Sequence, residues 1–182
     1  MKTLAGDNTR PTADRVKEAI FSALTTYIPG SRVLDGFAGS AALGLEALSR
    51  GAEAVWFCEQ NPAAQRICQA NIGDCGFVGA SLLKGDLLNM LPRLKAEMPE
   101  LKFDLVFLDP PYKSDLLRRA MALLADDGWL TAESIVVAES SAKADPVKDD
   151  RYSISREKKY GDTKVRFYML KDDSIENTQE ER

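Results

Sequence analysis

Arg32-Val33-Leu34-Asp35-Gly36-Phe37-Ala38-Gly39-Ser40 is the stretch on which the reading of the fold turns. A short apolar run closes on an acid, and a turn of small residues leads into a helical pattern. That pattern, Ala42 to Arg50, puts Leu43, Ala47 and Leu48 on one face and meets Gly51 as a C-terminal cap. The same form recurs in Ala54-Val55-Trp56-Phe57-Cys58-Glu59, Ser81-Leu82-Leu83-Lys84-Gly85-Asp86, Phe103-Asp104-Leu105-Val106-Phe107-Leu108-Asp109 and Ile135-Val136-Val137-Ala138-Glu139. With so little polar alternation, these runs predict strands buried on both faces. Further helical patterns accompany them. One spans Thr12 to Tyr27, with Val16, Ala19, Ile20, Ala23, Leu24 and Tyr27 at helical spacing. Another opens at Asn61-Pro62, and a third is capped by Ser114 and bears Leu117, Ala120, Met121 and Leu124. Strands alternating with helices argue for an α/β protein with a doubly wound parallel sheet. After Glu139 the rhythm changes. Tyr152 to Lys159 and Lys164 to Leu170 flank Tyr160-Gly161-Asp162-Thr163, which reads as an antiparallel hairpin.

The bulk properties narrow the chemistry. At 182 residues, 45% hydrophobic and 29% charged, the chain fits one domain with a substantial core. It lacks both an apolar run of the roughly 18 residues that cross a bilayer and a signal-peptide stretch after Met1, so the cytoplasm is the expected compartment. Cys58, Cys68 and Cys75 are odd in number and lack Cys-x-x-Cys spacing, which indicates neither a disulfide framework nor a zinc site. There is no histidine, which removes every Ser-His or Cys-His nucleophile and the commonest transition-metal ligand. Net charge is −4, but residues 171–182 carry five acids and two bases, leaving −1 for residues 1–170. A strongly basic domain is excluded, while a local basic face is compatible with the composition.

In an open parallel sheet, ligands bind beyond the carboxyl ends of the strands. The acids that end the runs should therefore line one cleft. The Gly36 to Ser40 turn allows close approach of a ligand to the backbone, and Glu59, 24 residues beyond Asp35, suits the hydroxyls of a ribose. The plainer reading is a glycine turn with surface acids, which the matching positions of Glu59 and Asp86 disfavour. Neither Gly-x-Gly-x-x-Gly nor Gly-Lys-Ser/Thr is present, so nicotinamide and nucleoside triphosphate sites fit poorly. S-adenosylmethionine has no phosphate, and its sulfonium and amino group suit an acid-lined turn.

Asp109-Pro110-Pro111-Tyr112 is the sharpest signal. Consecutive prolines hold the chain extended and leave carbonyls without local partners. Asp109 and the Pro110 carbonyl can then accept both hydrogens of a flat amino group, aiming the nitrogen lone pair at an incoming methyl. Tyr112 offers a ring on which a flipped base stacks. A rigid strand-ending turn is the alternative. Arg156, Lys158, Lys159, Tyr160, Lys164 and Arg166 gather on the hairpin, with Arg10, Arg15 and Lys17 near the N-terminus. These suit phosphate contacts or a solvated charged face.

Several segments resemble one family. Asn8-Thr9-Arg10-Pro11-Thr12-Ala13-Asp14-Arg15-Val16-Lys17-Glu18-Ala19-Ile20-Phe21 is similar to the opening of the RsmD family, bacterial methyltransferases acting on N2 of a guanine in 16S ribosomal RNA. Phe37-Ala38-Gly39-Ser40 with Leu43 to Ala52 resembles the family's cofactor loop and helix. Asp109 to Tyr112 resembles its catalytic loop, and Arg156 to Thr163 its C-terminal hairpin. The likeness spans nearly residues 8–170. Two positions depart from the family: Ala41 stands where glycine is usual, and Gly36 where a larger apolar residue is usual. The segment before the Asn-Thr-Arg-Pro-Thr motif is also shorter than in the family, lacking its Gly-Arg-Lys-like basic stretch.

The resemblance implies a Rossmann-like S-adenosylmethionine-dependent methyltransferase fold. Its sheet would have seven strands, mostly parallel, with helices on both faces and a C-terminal antiparallel hairpin. The chain then divides into an N-terminal segment 1–11, a methyltransferase domain 12–170 and a disordered tail 171–182. Asp35 and the turn Gly36, Phe37, Ala38 and Gly39 would hold the methionine portion of the cofactor, and Glu59, with Gln60 beside it, the ribose. Asp86 would take the adenine amino group, with Leu87 on the ring. Asp109, Pro110, Pro111 and Tyr112 would form the catalytic loop, and Arg10, Arg15, Lys158, Lys159 and Arg166 would contact RNA, without a metal or a membrane. The expected substrate is 16S rRNA, within the small ribosomal subunit or an assembly intermediate. Two rivals remain: amino-methylation of adenine N6 or cytosine N4 in DNA or RNA, and a non-catalytic ribosome-associated binding protein.

Overall fold

The computed structural model describes residues 11–111 and 115–171. Its centre is a seven-stranded sheet of β1 (Arg32–Asp35), β2 (Ala54–Glu59), β3 (Ala80–Lys84), β4 (Leu105–Leu108), β5 (Ile135–Ser141), β6 (Tyr152–Tyr160) and β7 (Thr163–Leu170), in the order β3-β2-β1-β4-β5-β7-β6. The pairs among the first five strands are parallel, and the hairpin of β6 and β7 adds two antiparallel strands beside β5. Chain order reverses at β1 and β4, so the crevice above their carboxyl ends is the place for a ligand.

Among the described residues, five helices cover the sheet: α1 (Pro11–Ala23), α2 (Ala42–Ser49), α3 (Pro62–Cys75), α4 (Leu87–Glu97) and α5 (Leu116–Asp126). Neighbouring strand residues point to opposite faces, and both faces are dry. Val33, Val55, Phe57, Leu105, Phe107 and Val137 pack under Val16, Ile20 and Phe21 of α1, Leu45 and Leu48 of α2, and Cys68 of α3. Leu34, Trp56, Val106, Leu108, Val136 and Ala138 pack under Leu91 and Leu94 of α4 and Ala120, Met121 and Leu124 of α5. No helix among the described residues is long and apolar enough to cross a membrane.

Local signals account for most of the boundaries. Asn61 caps α3 as expected, its side-chain oxygen accepting the N–H groups of Ala63 and Ala64, with Pro62 in the first turn. The hairpin closes on Gly161-Asp162, where Gly161 has φ 57°, a conformation a tight two-residue turn favours.

Other boundaries differ from the sequence reading. α1 stops at Ala23, not Tyr27: the Thr25 hydroxyl donates to the carbonyls of Phe21 and Ser22, and the chain leaves through a tighter turn from Tyr27 N–H to Leu24. The N-cap position of α5 is Asp115, whose carboxylate binds Arg118 instead of the backbone, and Ser114 lies outside the described residues. α4 was not anticipated. Pro92 interrupts its pattern, although Leu87, Leu91 and Leu94 keep a buried stripe and Asp86 caps it by accepting the Leu88 N–H. The expected tail, apart from Lys171, also lies outside the described residues, as does most of segment 1–11.

Candidate active site

The parallel register aligns the strand ends. Asp35 lies opposite Phe57 of β2 and Phe107 of β4. Leu108 lies opposite Ala138, so Asp109, which follows β4, comes beside Glu139 within β5, a strand that runs on to Ser141 through its pairing with β7. Above these ends is a cavity of about 530 Å³. Gly36, Phe37, Gly39, Glu59, Gln60, Asp86, Leu87, Asp109, Pro110 and Pro111 all line it, as the sequence reading expected, together with Cys58, Asn61, Gly85 and Leu116. Tyr112 lies outside the described residues.

Two of the expected cofactor residues do not reach the cavity. Asp35 is 3% exposed and accepts the Gly44 N–H at 3.0 Å. Burial pushes its carboxyl up to about 7, against the lowering effect of that hydrogen bond, and the negative charges of Asp109 and Glu59 push the same way. The expectation that Asp35 touches the ligand is therefore corrected to a supporting role: it anchors the start of α2 beneath the turn. Ala38 is also buried, its N–H donating to the Cys58 carbonyl.

The turn itself is held from all sides. Glu59 accepts the Gly39 N–H through one oxygen at 2.8 Å and the Asn61 N–H through the other at 2.7 Å. Gln65 donates to the Glu59 carbonyl, and the buried Asn71 amide donates to the Ser40 carbonyl. Gly44 permits the approach of α2 to the sheet, since a Cβ there would fall 2.2 Å from the Phe57 ring. Gln65, Asn71 and Gly44 were not singled out as site-forming residues. Gln65 acts locally, across the turn that opens α3, whereas Asn71 and Gly44 act on segments more distant in sequence. Ala41 has φ 70° and is fully buried at the entrance to α2. A left-handed conformation costs an L-residue about 1–2 kcal/mol.

The lining suits S-adenosylmethionine. Glu59, Asp86 and Asp109 bring three carboxylates, and among the described residues no Lys or Arg faces them there, which favours a cationic, phosphate-free ligand. Glu59 and Asp86 would hold the ribose and adenine portions, with Leu87 as apolar wall. Cys58 lines the cavity as a thiol, not a thiolate. Burial, reinforced by Asp86, Glu59 and Asp35, pushes it up to about 12, which disfavours a nucleophilic thiolate. No cluster of His, Cys, Asp or Glu able to hold a metal ion is present among the described residues.

The basic residues separate into two kinds. Arg15, Arg156, Lys158 and Lys159 are exposed. Arg166, expected on the RNA face, is 2% exposed: it donates to Glu157, to the Ser140 hydroxyl and to the carbonyls of Ala144 and Asp145. β7 lies between β5 and β6, so Arg166 points inward and is removed from the surface set. Lys164 pairs with the same Glu157 at 3.3 Å. Arg10 lies outside the described residues.

A sheet of this order, with an acidic cleft at the switch point closed by Asp-Pro-Pro, defines a Rossmann-like methyltransferase. An Escherichia coli structure described as a "putative methyltransferase" superposes with TM-score 0.80 at 30% identity, covering 94% of this chain and 91% of that one. A Streptococcus pyogenes conserved hypothetical protein superposes with TM-score 0.73 at 36% identity, covering 85% and 95%. The family described as conserved hypothetical protein 95 matches residues 1–169. Ribosomal RNA small subunit methyltransferase D of Haemophilus influenzae is 34% identical over 93% of this chain and 87% of its own length. The Escherichia coli protein of the same name is 34% identical over 88% and 79%. The chain belongs to this family of methyltransferases, the RsmD family.

Proposed function

We propose that this protein transfers a methyl group from S-adenosylmethionine to the exocyclic N2 of a guanine in 16S ribosomal RNA. The observation that carries the reading is the cavity itself, in which three carboxylates run from the glycine turn to Asp109-Pro110. The names of the relatives support a small-subunit ribosomal RNA as substrate. That substrate implies the cytoplasm, where ribosomes are built.

S-adenosylmethionine supplies an electrophilic methyl on a sulfonium centre. The protein's own contribution is placement and electrostatics. Glu59, fixed by two backbone N–H groups, keeps lone pairs for ribose hydroxyls, and Asp86 with Leu87 takes the adenine end. Pro110 has no N–H and a fixed φ, so Asp109 and the Pro110 carbonyl form a rigid acceptor pair for the two amino hydrogens. Accepting them raises electron density on nitrogen and directs its lone pair along the line of attack. Tyr112 stacks on the flipped base, and the surplus proton leaves to water after methylation. Lys158, Lys159 and Arg15 contact RNA phosphates.

The test is transfer of labelled methyl to small ribosomal subunits lacking the modification, followed by nucleoside analysis. N2-methylguanine is the expected product. N6-methyladenine or N4-methylcytosine in its place would overturn the base assignment.

A further inference from the structure

A second cavity, of about 350 Å³, meets the cofactor cleft at Pro110-Pro111, which line both. We infer that it receives the flipped base, and that Glu139 reads guanine there by accepting the N1–H of its Watson–Crick edge. This rests on the guanine-N2 reading above and extends it to the residue that selects the base.

The cavity is a built site. Its volume falls within the roughly 300–1,000 Å³ of ligand pockets. One wall is the Ala144 to Lys148 segment, which β7 ties down. Arg166 donates to the carbonyls of Ala144 at 2.7 Å and Asp145 at 3.4 Å and to the Ser140 hydroxyl at 3.1 Å, while the Tyr168 hydroxyl accepts the Val147 N–H at 3.2 Å. The inward turn of Arg166 thus has a use: it shapes a wall of the cavity. Leu117, Pro146 and Val147 provide apolar surface for the faces of a planar ring, and the exposed Lys148 stands where a phosphate can be met.

Glu139 faces this space half-buried. Its side chain has no hydrogen bond or ion pair among the described residues. Burial, with the Asp109 charge beside it, holds its carboxyl well above the usual carboxylate range, as expected where donors are lacking. Guanine supplies the missing donor. Its N1–H lies next to the N2 amino group on one edge, as Glu139, within β5, lies next to Asp109 at the end of β4. Adenine and cytosine carry an acceptor at the corresponding ring nitrogen, which only the protonated acid can meet, whereas the guanine N1–H pairs with the ionised carboxylate and favours its ionisation. Asp109 therefore serves the amino group common to all candidate bases, and Glu139 separates guanine from the rest.

The test uses the full chain with Glu139→Gln and Glu139→Ala. Substrates are small subunits carrying either guanine or 2-aminopurine at the methylated position. 2-Aminopurine keeps the amino group but has an acceptor at N1. On guanine both variants should lose about 10- to 100-fold in kcat/KM while binding S-adenosylmethionine within about 3-fold of wild type, which also shows that they fold. On 2-aminopurine the order should reverse, with Glu139→Gln exceeding wild type because its amide N–H can donate to N1. Variants within about 3-fold of wild type on guanine, or a wild type indifferent to the two bases, would overturn the inference while leaving the function standing. A wild type that makes no N2-methylguanine would overturn both.

Discussion

The cofactor half and the substrate half of the cleft use strand-end carboxylates in opposite ways. At the ends of β1 and β2 and before α4, the acids already accept backbone N–H groups: Asp35 from Gly44, Glu59 from Gly39 and Asn61, Asp86 from Leu88. Those bonds lock the turn and the helix starts before any ligand arrives. Within β5, Glu139 accepts no such bond among the described residues, and its neighbour Asp109 follows the parallel strand β4 beside it. The first half is a preformed mould for a ligand of constant shape. The second holds acceptor capacity that a base must complete. A cofactor that is the same in every turnover favours rigidity, whereas selecting one base among four favours an acceptor whose desolvation is relieved only by the correct donor.

The sharpest way to separate the halves is Asp109→Ala. If Asp109 acts on the amino group alone, methyl transfer should fall by about 10²–10³-fold or more, while S-adenosylmethionine affinity stays within about 3-fold. Single-turnover transfer and calorimetric titration read the two effects. A parallel loss of cofactor binding would show that Asp109 belongs to the mould. Glu59→Ala should show the reverse split, weakening cofactor affinity by about 10- to 100-fold because the ribose contact and the anchor of Gly39 are lost together. Its turnover at saturating cofactor should move little, and a large fall in kcat with unchanged affinity would contradict the assignment.

Most of the mould was legible in the sequence because its signals are local. An apolar run, an acid and a small-residue turn fall within about ten residues, and Asn61-Pro62 announces a helix start directly. The substrate half was legible only at Asp109-Pro110-Pro111. Glu139 was visible as an acid after an apolar run, yet its importance depends on its side chain having no hydrogen-bond partner among the described residues, a property of the folded environment. Arg166 failed for a related reason. On a hairpin read as a basic face it counts as a surface cation, but Ser140 and the segment at Ala144 and Asp145 cover its side of β7. α4 was hidden by Pro92, a local signal that tertiary packing of Leu87, Leu91 and Leu94 overrides.

Asp35 offers a smaller effect, read through pH. Its folded value, about 7, lies above the ordinary 3.8, so the folded state binds this proton more tightly than the unfolded one. The resulting stabilisation is complete below about pH 4 and is lost as pH rises through about 7. Asp35→Asn keeps an oxygen for the Gly44 N–H and removes the ionisation. The variant should therefore be more stable than wild type above pH 7, by on the order of 2 kcal/mol, and the difference should shrink toward pH 4. Glu139 shifts in the same direction, so the informative quantity is the difference between the two proteins in denaturant titrations. Parallel curves from pH 4 to 8 would remove Asp35 as the titrating support of the turn.

The smallest effect is expected at Ala41, where the mould carries strain of its own. Its φ of 70° costs a residue with a Cβ about 1–2 kcal/mol, which Ala41→Gly would relieve. Against that, glycine adds about 0.4–1 kcal/mol of unfolded-chain entropy, and removal of a fully buried methyl gives up about 0.8 kcal/mol of burial. The terms nearly cancel, so the net change should stay within about 1 kcal/mol of zero. That near-cancellation explains how alanine is accommodated in a left-handed conformation. A β-branched residue escapes the cancellation, since added bulk meets both the left-handed backbone and the closed core. Ala41→Val should therefore destabilise by more than about 2 kcal/mol. Chemical denaturation of the two variants decides the matter. A gain beyond about 2 kcal/mol for Ala41→Gly would mean that the methyl adds nothing to packing and that strain alone governs this corner of the cofactor turn.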